Sequence, residues 1–178
     1  NQVKGPVSSF VHGSREPFMG VYHPHTNTGV AHYAEYSELP GKKIWSWGVD
    51  PDGLDWRRAL SDDNSAYVEV QAGLMRNQET YAFLQPRQTL RFTEYWMPVR
   101  AIGGIARANL AGVLNLERKG GKLVAGFNSN AGVSGAKIRL LEGSRLMEEV
   151  RADLAPDRTW SQEVAAPASG ESVRAGDA

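Results

Sequence analysis

Hydrophobic and polar residues alternate with a period of two along most of the chain. The clearest runs are Ala66–Ala72 and Leu90–Val99, which are rich in β-branched and aromatic residues. Turn-forming pairs such as Pro40-Gly41, Asp52-Gly53 and Gly103-Gly104 recur at short intervals. Short alternating runs with frequent turn signals predict an all-β sandwich or barrel.

The second part of the chain predicts a simple meander of paired strands. One pair turns at Gly120-Gly121 and the next at Gly143-Ser144. The predicted strands are Ala111–Glu117, Lys122–Asn128, Ala136–Glu142 and Arg145–Leu154. This pattern is typical of an immunoglobulin-like sandwich, and the tail Ala165–Ala178, rich in small and charged residues, is expected to fray.

One short helix is predicted, around Leu54–Leu60, where Asp52 or Asp55 could cap the first turn. Aromatic residues become sparse beyond residue 105, since four of the five tryptophans and all the tyrosines and histidines precede it. We therefore predict two domains, residues 1–105 and residues 106–178.

Charge and composition exclude several classes of protein. The 178 residues carry 20 basic and 20 acidic side chains, so no basic surface for nucleic acid or anionic lipid is indicated. The chain contains no cysteine, which excludes disulfides and thiolate metal sites. No apolar run approaches the roughly 18 residues of a membrane-spanning helix. The chain begins at Asn1, so it is expected to be part of a longer protein.

Four histidines lie close together in the sequence: His12, His23, His25 and His32. Pro24 between His23 and His25 favours an extended or a turn conformation. In an extended strand the two histidines would point to the same side, a spacing that can hold a metal ion. The same residues can equally serve in packing or hydrogen bonding. The prediction includes no metal and no cofactor.

Two carboxylates lie beside aromatic residues on predicted strands. Phe92, Glu94 and Trp96 would share one strand face, and apolar neighbours of this kind raise the pKa of a carboxyl group. Glu69, Gln71 and Tyr67 would share another face. The face with Glu69 is expected to be either solvated or part of a ligand cleft. The face with Glu94 suits sugar recognition, because rings stack on the pyranose while carboxylates accept hydroxyl hydrogen bonds. The alternative is a salt bridge from Glu94 to Arg91 or Arg100.

Trp45 and Trp47 form the densest local signature, in the segment Pro40–Gly48. Two indoles on one strand face could form a stacking platform or belong to the core. We expect one to be core and the other to line a cleft. The sequence contains no glycine-rich nucleotide loop, no Gly-x-Ser-x-Gly and no His-Glu-x-x-His.

About half of the chain resembles the later part of an uncharacterised bacterial domain family related to aldose 1-epimerases. The matching stretches are Gly20–His23, Gly29–Ala34, Pro40–Gly48, Tyr67–Gly73 and Thr93–Val99. The resemblance implies an incomplete galactose mutarotase-like β-supersandwich over residues 1–105, followed by a small sandwich and, in such proteins, tetratricopeptide repeats. It also implies a histidine acid and a glutamate base in one cleft.

The resulting prediction is a carbohydrate-binding domain of a larger multidomain bacterial protein. The alternatives are a mutarotase-like epimerase or other carbohydrate-processing enzyme, active only at full length, and a structural spacer beside repeat helices. The candidate proton-transfer residues are Glu94, Glu69 and His32, and the candidate sugar-binding residues are Trp96, Trp45, Trp47, Gln71, His23 and His25. The expected partner is a carbohydrate ligand, without nucleic acid or membrane insertion. Exposed strand edges are expected to promote self-association.

Overall fold

The structure, a computed structural model, describes residues 3–166 and 173–175 and confirms the predicted all-β fold. About half of the chain is in strands, with one helix among the described residues. The strands are β1 Val7–Phe10, β2 Phe18–His23, β3 Thr28–Tyr33, β4 Gly41–Ser46, β5 Val68–Gly73, β6 Tyr95–Arg100, β7 Arg107–Asn109, β8 Gly112–Lys119, β9 Lys122–Ser129, β10 Val133–Glu142, β11 Arg145–Leu154, β12 Thr159–Ala165 and β13 Val173–Ala175; the helix is α1 Pro51–Leu60.

One compact unit comprises residues 1–17 and 34–94. Its antiparallel sheet has the order β1-β4-β5, with Trp45 opposite both Ser8 and Glu69. Helix α1 follows β4 and begins after the N-cap residue Asp50, whose carboxylate accepts a hydrogen bond from the Gly53 backbone N–H at 3.0 Å. The prediction that Asp52 or Asp55 caps this helix was wrong.

The second unit comprises residues 18–33 and 95–178 and holds three antiparallel sheets. Their strand orders are β2-β3-β6, β12-β9-β8-β7 and β11-β10-β13. The two predicted hairpins are confirmed as β8–β9 and β10–β11. Most of the predicted frayed tail lies outside the described residues.

The first two of these sheets contribute to one apolar core. Its buried members are Ala31, Met97, Val99, Ile102, Ala108 and Val113. The connection after β6 is held by Asn115, whose buried Nδ2 donates to the Ile102 carbonyl oxygen at 2.9 Å. A Cβ at Gly126 would come within 2.7 Å of the Ile102 Cβ, so glycine permits this close approach.

Strand β6 is shorter than the sequence pattern predicts. It begins at Tyr95, whereas residues 90–94 are irregular although they alternate in polarity. Phe92 and Glu94 therefore do not share a strand face with Trp96. His25 also lies outside a strand, in the turn over residues 24–27 after β2, so the structure has the turn rather than the extended alternative for His23 and His25.

No helix in the described part of the chain is long and apolar enough to cross a membrane.

Candidate functional site

Three aromatic side chains line a cleft between the end of β4, helix α1 and the start of β5. The Trp47 ring centroid lies 5.2 Å from that of Tyr67 and 6.3 Å from that of Trp56, with interplanar angles of 58° and 53°. The cleft has a volume of about 180 Å³. Its lining consists of Val3, Ser46, Trp47, Gly48, Val49, Gly53, Trp56, Arg57, Ala66 and Tyr67. We call this the aromatic cleft.

Local backbone geometry brings the helix against the end of β4. Gly48 has φ +79°, a left-handed conformation that favours glycine. A Cβ at Gly53 would lie only 2.5 Å from the carbonyl oxygens of Trp47 and Gly48, so the first turn of α1 packs directly on that backbone. Together with the N-cap hydrogen bond to Asp50, this contact holds Trp56 in the cleft beside Tyr67 and Trp47.

Arg57 is the only charged residue among the described residues that line the aromatic cleft. It lies in the last turn of α1, where a cation interacts favourably with the helix dipole. Its Nε atom is buried and has no hydrogen-bond partner within residues 3–166 and 173–175. A buried guanidinium donor without an acceptor is costly, which makes this atom unusual.

A polar face of the same sheet adjoins the aromatic cleft. Antiparallel register places Trp45 opposite Glu69 and Lys43 opposite Gln71, so these four side chains share one face. Gln71 Nε2 donates to Glu69 Oε2 at 2.6 Å. We call Lys43, Trp45, Glu69 and Gln71 the polar face.

Trp45 and Trp47 have different surroundings. Trp45 packs edge-on against Phe10, with ring centroids 6.3 Å apart at 76°. Its Nε1 is buried without a hydrogen-bond partner among the described residues. Trp47 follows the end of β4 and lines the aromatic cleft. The two indoles therefore do not form a single stacking platform.

The opposite face of β4 carries a buried base. Lys42 is 2% exposed, and its Nζ lies 5.1 Å from the centroid of the Tyr36 ring. Burial lowers the pKa of Lys42 below 10.5, and the carboxylate of Glu16 opposes that shift. The ammonium group thus lies on the side of β4 that faces away from the polar face.

The second unit holds a separate histidine–tryptophan pair. His32 is fully buried on β3, opposite Trp96 on β6, and their ring centroids are 4.7 Å apart at 56°. His23, at the end of β2, and His25 are exposed. No group of three His, Cys, Asp or Glu side chains in the described ranges is arranged to hold a metal ion.

Glu94 lies directly before β6 and is exposed. It belongs to the first unit, whereas Trp96 and His32 belong to the second. The structure thus gathers Trp45, Trp47, Glu69 and Gln71 in the first unit, and Trp96, His32, His23 and His25 in the second. Their predicted roles stay predictions.

The sequence did not assign Trp56 or Arg57 to a site, and it put Tyr67 beside Glu69 without naming it as a binding residue. The period of two along β5 does associate Tyr67 with Glu69, and this was the available signal. Trp56 and Arg57 line the cleft because α1 packs on the backbone of Gly48. A local sequence pattern does not predict that packing.

Residues 1–99 match the family described as a domain of unknown function, DUF5107. The chain belongs to this family. Residues 107–174 match the second domain of YphG-like proteins. Both matches agree with the resemblance to an uncharacterised bacterial domain, while the finer relation to aldose 1-epimerases stays a prediction.

Among solved structures, the chain is similar to a TPR-domain containing protein from Parabacteroides distasonis. The two are 31% identical, with a TM-score of 0.48, over 55% of this chain and 17% of that protein. The matched part of the chain thus corresponds to about a sixth of that protein's length. The DUF5107 match ends at residue 99, whereas the first compact unit ends at residue 94 and omits residues 18–33. The predicted boundary at residue 105 stays a prediction.

Proposed function

We propose that this chain is a non-catalytic carbohydrate-binding domain of a larger multidomain bacterial protein, and that a sugar ring stacks in the aromatic cleft. The observation that carries the proposal is the arrangement of Trp47, Trp56 and Tyr67 around one cleft. Aromatic rings provide a large apolar surface at low entropic cost, which suits the C–H face of a pyranose.

The size of the cleft limits the ligand. Its volume of about 180 Å³ is below the roughly 300–1,000 Å³ typical of pockets for drug-sized ligands. We therefore expect it to take one sugar residue, either alone or as one unit of a glycan.

The polar face supplies groups that suit sugar hydroxyls. Glu69 and Gln71 lie two residues apart on β5, on the face that also carries Trp45, and Tyr67 comes directly before that strand. The hydrogen bond between Gln71 and Glu69 orients both side chains. Glu69 keeps a second carboxylate oxygen for a ligand, and Gln71 keeps its amide oxygen and one N–H.

The test compares two tryptophans of equal exposure. Trp56, in the aromatic cleft, is 44% exposed, and Trp96, beside His32, is 45% exposed. A glycan panel is first screened with the 178-residue chain, and affinities for any hit are then measured by calorimetry for wild type, Trp56→Ala and Trp96→Ala. Thermal melts check that both variants are folded.

Loss of a stacking ring from the site should weaken binding about tenfold or more. We expect this for Trp56→Ala, with little change for Trp96→Ala. The reverse result would move the site to Trp96 and His32, which the sequence also nominates. Absence of any glycan ligand would overturn the proposed function.

A further inference from the structure

The positive charge of Arg57 in the aromatic cleft affects whether a neutral or an acidic sugar binds better. Arg57 contributes one cation, and no Asp or Glu is among the described residues that line the cleft. A neutral sugar would cover part of this half-buried cation without supplying a counter-charge. Burying an unpaired charge is costly, so a ligand that supplies the opposite charge is favoured.

The hydrogen-bonding state of Arg57 points in the same direction. Its buried Nε has no acceptor within the described part of the chain. Arginine presents five N–H donors in a planar fork, whose geometry matches a carboxylate. Ser46 and the three rings are the other lining residues with polar or stacking groups, and none of them is anionic. The carboxylate of Glu69 belongs to the adjoining polar face, outside the cleft lining, where it accepts a hydrogen bond from Gln71.

We infer that the aromatic cleft binds an acidic sugar, a uronate residue whose ring stacks on the aromatic side chains and whose carboxylate pairs with Arg57. This inference rests on the proposed function and adds the ligand class. It predicts that the ligand's charge, not only its ring, determines affinity.

The chain offers a matched control for Arg57. Arg58 is the next residue on α1, its side chain is 75% exposed, it pairs with Asp55 at 3.5 Å, and it is not part of the cleft lining. The variants Arg57→Gln and Arg58→Gln thus remove one positive charge each from neighbouring positions, one inside the cleft and one outside it.

The ligand offers a second control that leaves the protein unchanged. Calorimetry compares a galacturonic acid trimer with its methyl ester and with a neutral galactose trimer. If Arg57→Gln fails to fold, the ester comparison on wild type still decides whether the carboxylate matters.

We expect wild type and Arg58→Gln to bind the acid about tenfold or more tightly than the ester, since hydrogen bonds to charged groups are the stronger ones. Arg57→Gln should bind both equally. Equal affinity of wild type for the acid, the ester and the neutral trimer would overturn the inference while supporting the proposed function. A preference for the acid that survives in Arg57→Gln would also overturn it. No binding of any sugar would overturn both.

Discussion

Lys42 shows how one side chain can oppose the stability of a sheet. Its ammonium group is buried at 2% exposure, and Nζ has no hydrogen-bond partner among the described residues. The Tyr36 ring and the Glu16 carboxylate offset part of the lost hydration. Desolvation is the larger effect, because the pKa of Lys42 is lowered.

We predict that Lys42→Met raises the free energy of unfolding by about 1 kcal/mol near neutral pH, because methionine keeps the apolar stem and removes the buried charge. A lowered pKa means that the folded state releases its proton first. Wild-type stability should therefore rise as pH increases from the lowered pKa towards 10.5, and the advantage of the variant should shrink over that window.

Urea unfolding of both proteins, from neutral to alkaline pH, measures this difference. Lys43→Met is the matched control, since Lys43 lies on the opposite face of the same strand and should give no comparable gain. A gain for Lys42→Met that stays constant with pH would contradict the electrostatic explanation.

Helix α1 is the element that completes the aromatic cleft, and its start depends on one carboxylate. Replacing Asp50 by alanine leaves the Gly53 N–H without its acceptor, and loss of such a cap typically costs about 0.5–2 kcal/mol. We predict faster hydrogen exchange at the Gly53 amide and lower thermal stability for Asp50→Ala.

Asp52→Ala and Asp55→Ala are the controls, because both residues were capping candidates in the sequence. Asp52 lies in the first turn, where it complements the helix dipole, and Asp55 pairs with the exposed Arg58 at 3.5 Å. Each should cost no more than a few tenths of a kcal/mol. A loss in either control as large as that in Asp50→Ala would identify a different cap.

The strands and turns that the sequence predicted correctly are those determined by residues close together in the sequence. The β8–β9 hairpin combines alternating polarity with Gly120-Gly121, where both residues have positive φ. Residues 90–94 show the same alternation, yet β6 begins at Tyr95, where pairing with Tyr33 begins. Alternation is compatible with a strand, but a partner strand is needed to form one.

The candidate site was predicted only in part for the same reason. Trp45, Glu69 and Gln71 lie on paired strands, so the period of two and the register together put them on one face. Trp56 and Arg57 reach the aromatic cleft through the packing of α1 on the Trp47 and Gly48 backbone. That contact is tertiary, so the sequence pattern of residues 51–60 predicts the helix but not the surface on which it packs.

On the scale of the whole molecule, one exposed apolar segment bears on association between copies. Tyr81 and Phe83 are both 84% exposed, and Leu84, Leu90 and Phe92 in the same segment are also exposed. Large exposed apolar areas on soluble proteins often mark sites of association. This segment adds to the strand edges, which the sequence predicts to promote association.

We predict that the 178-residue chain self-associates in a concentration-dependent manner in sedimentation velocity experiments. A Tyr81→Ser/Phe83→Ser double variant should shift it towards monomer, because serine removes the apolar area without touching a strand. Val133→Ser, which removes a single exposed apolar side chain from β10, is the control and should leave the distribution unchanged. Association that persists in the double variant, together with new amide protection in β1 or β5, would assign it to the outer strands of the first sheet instead. A wild-type chain that stays monomeric at every concentration would contradict both explanations.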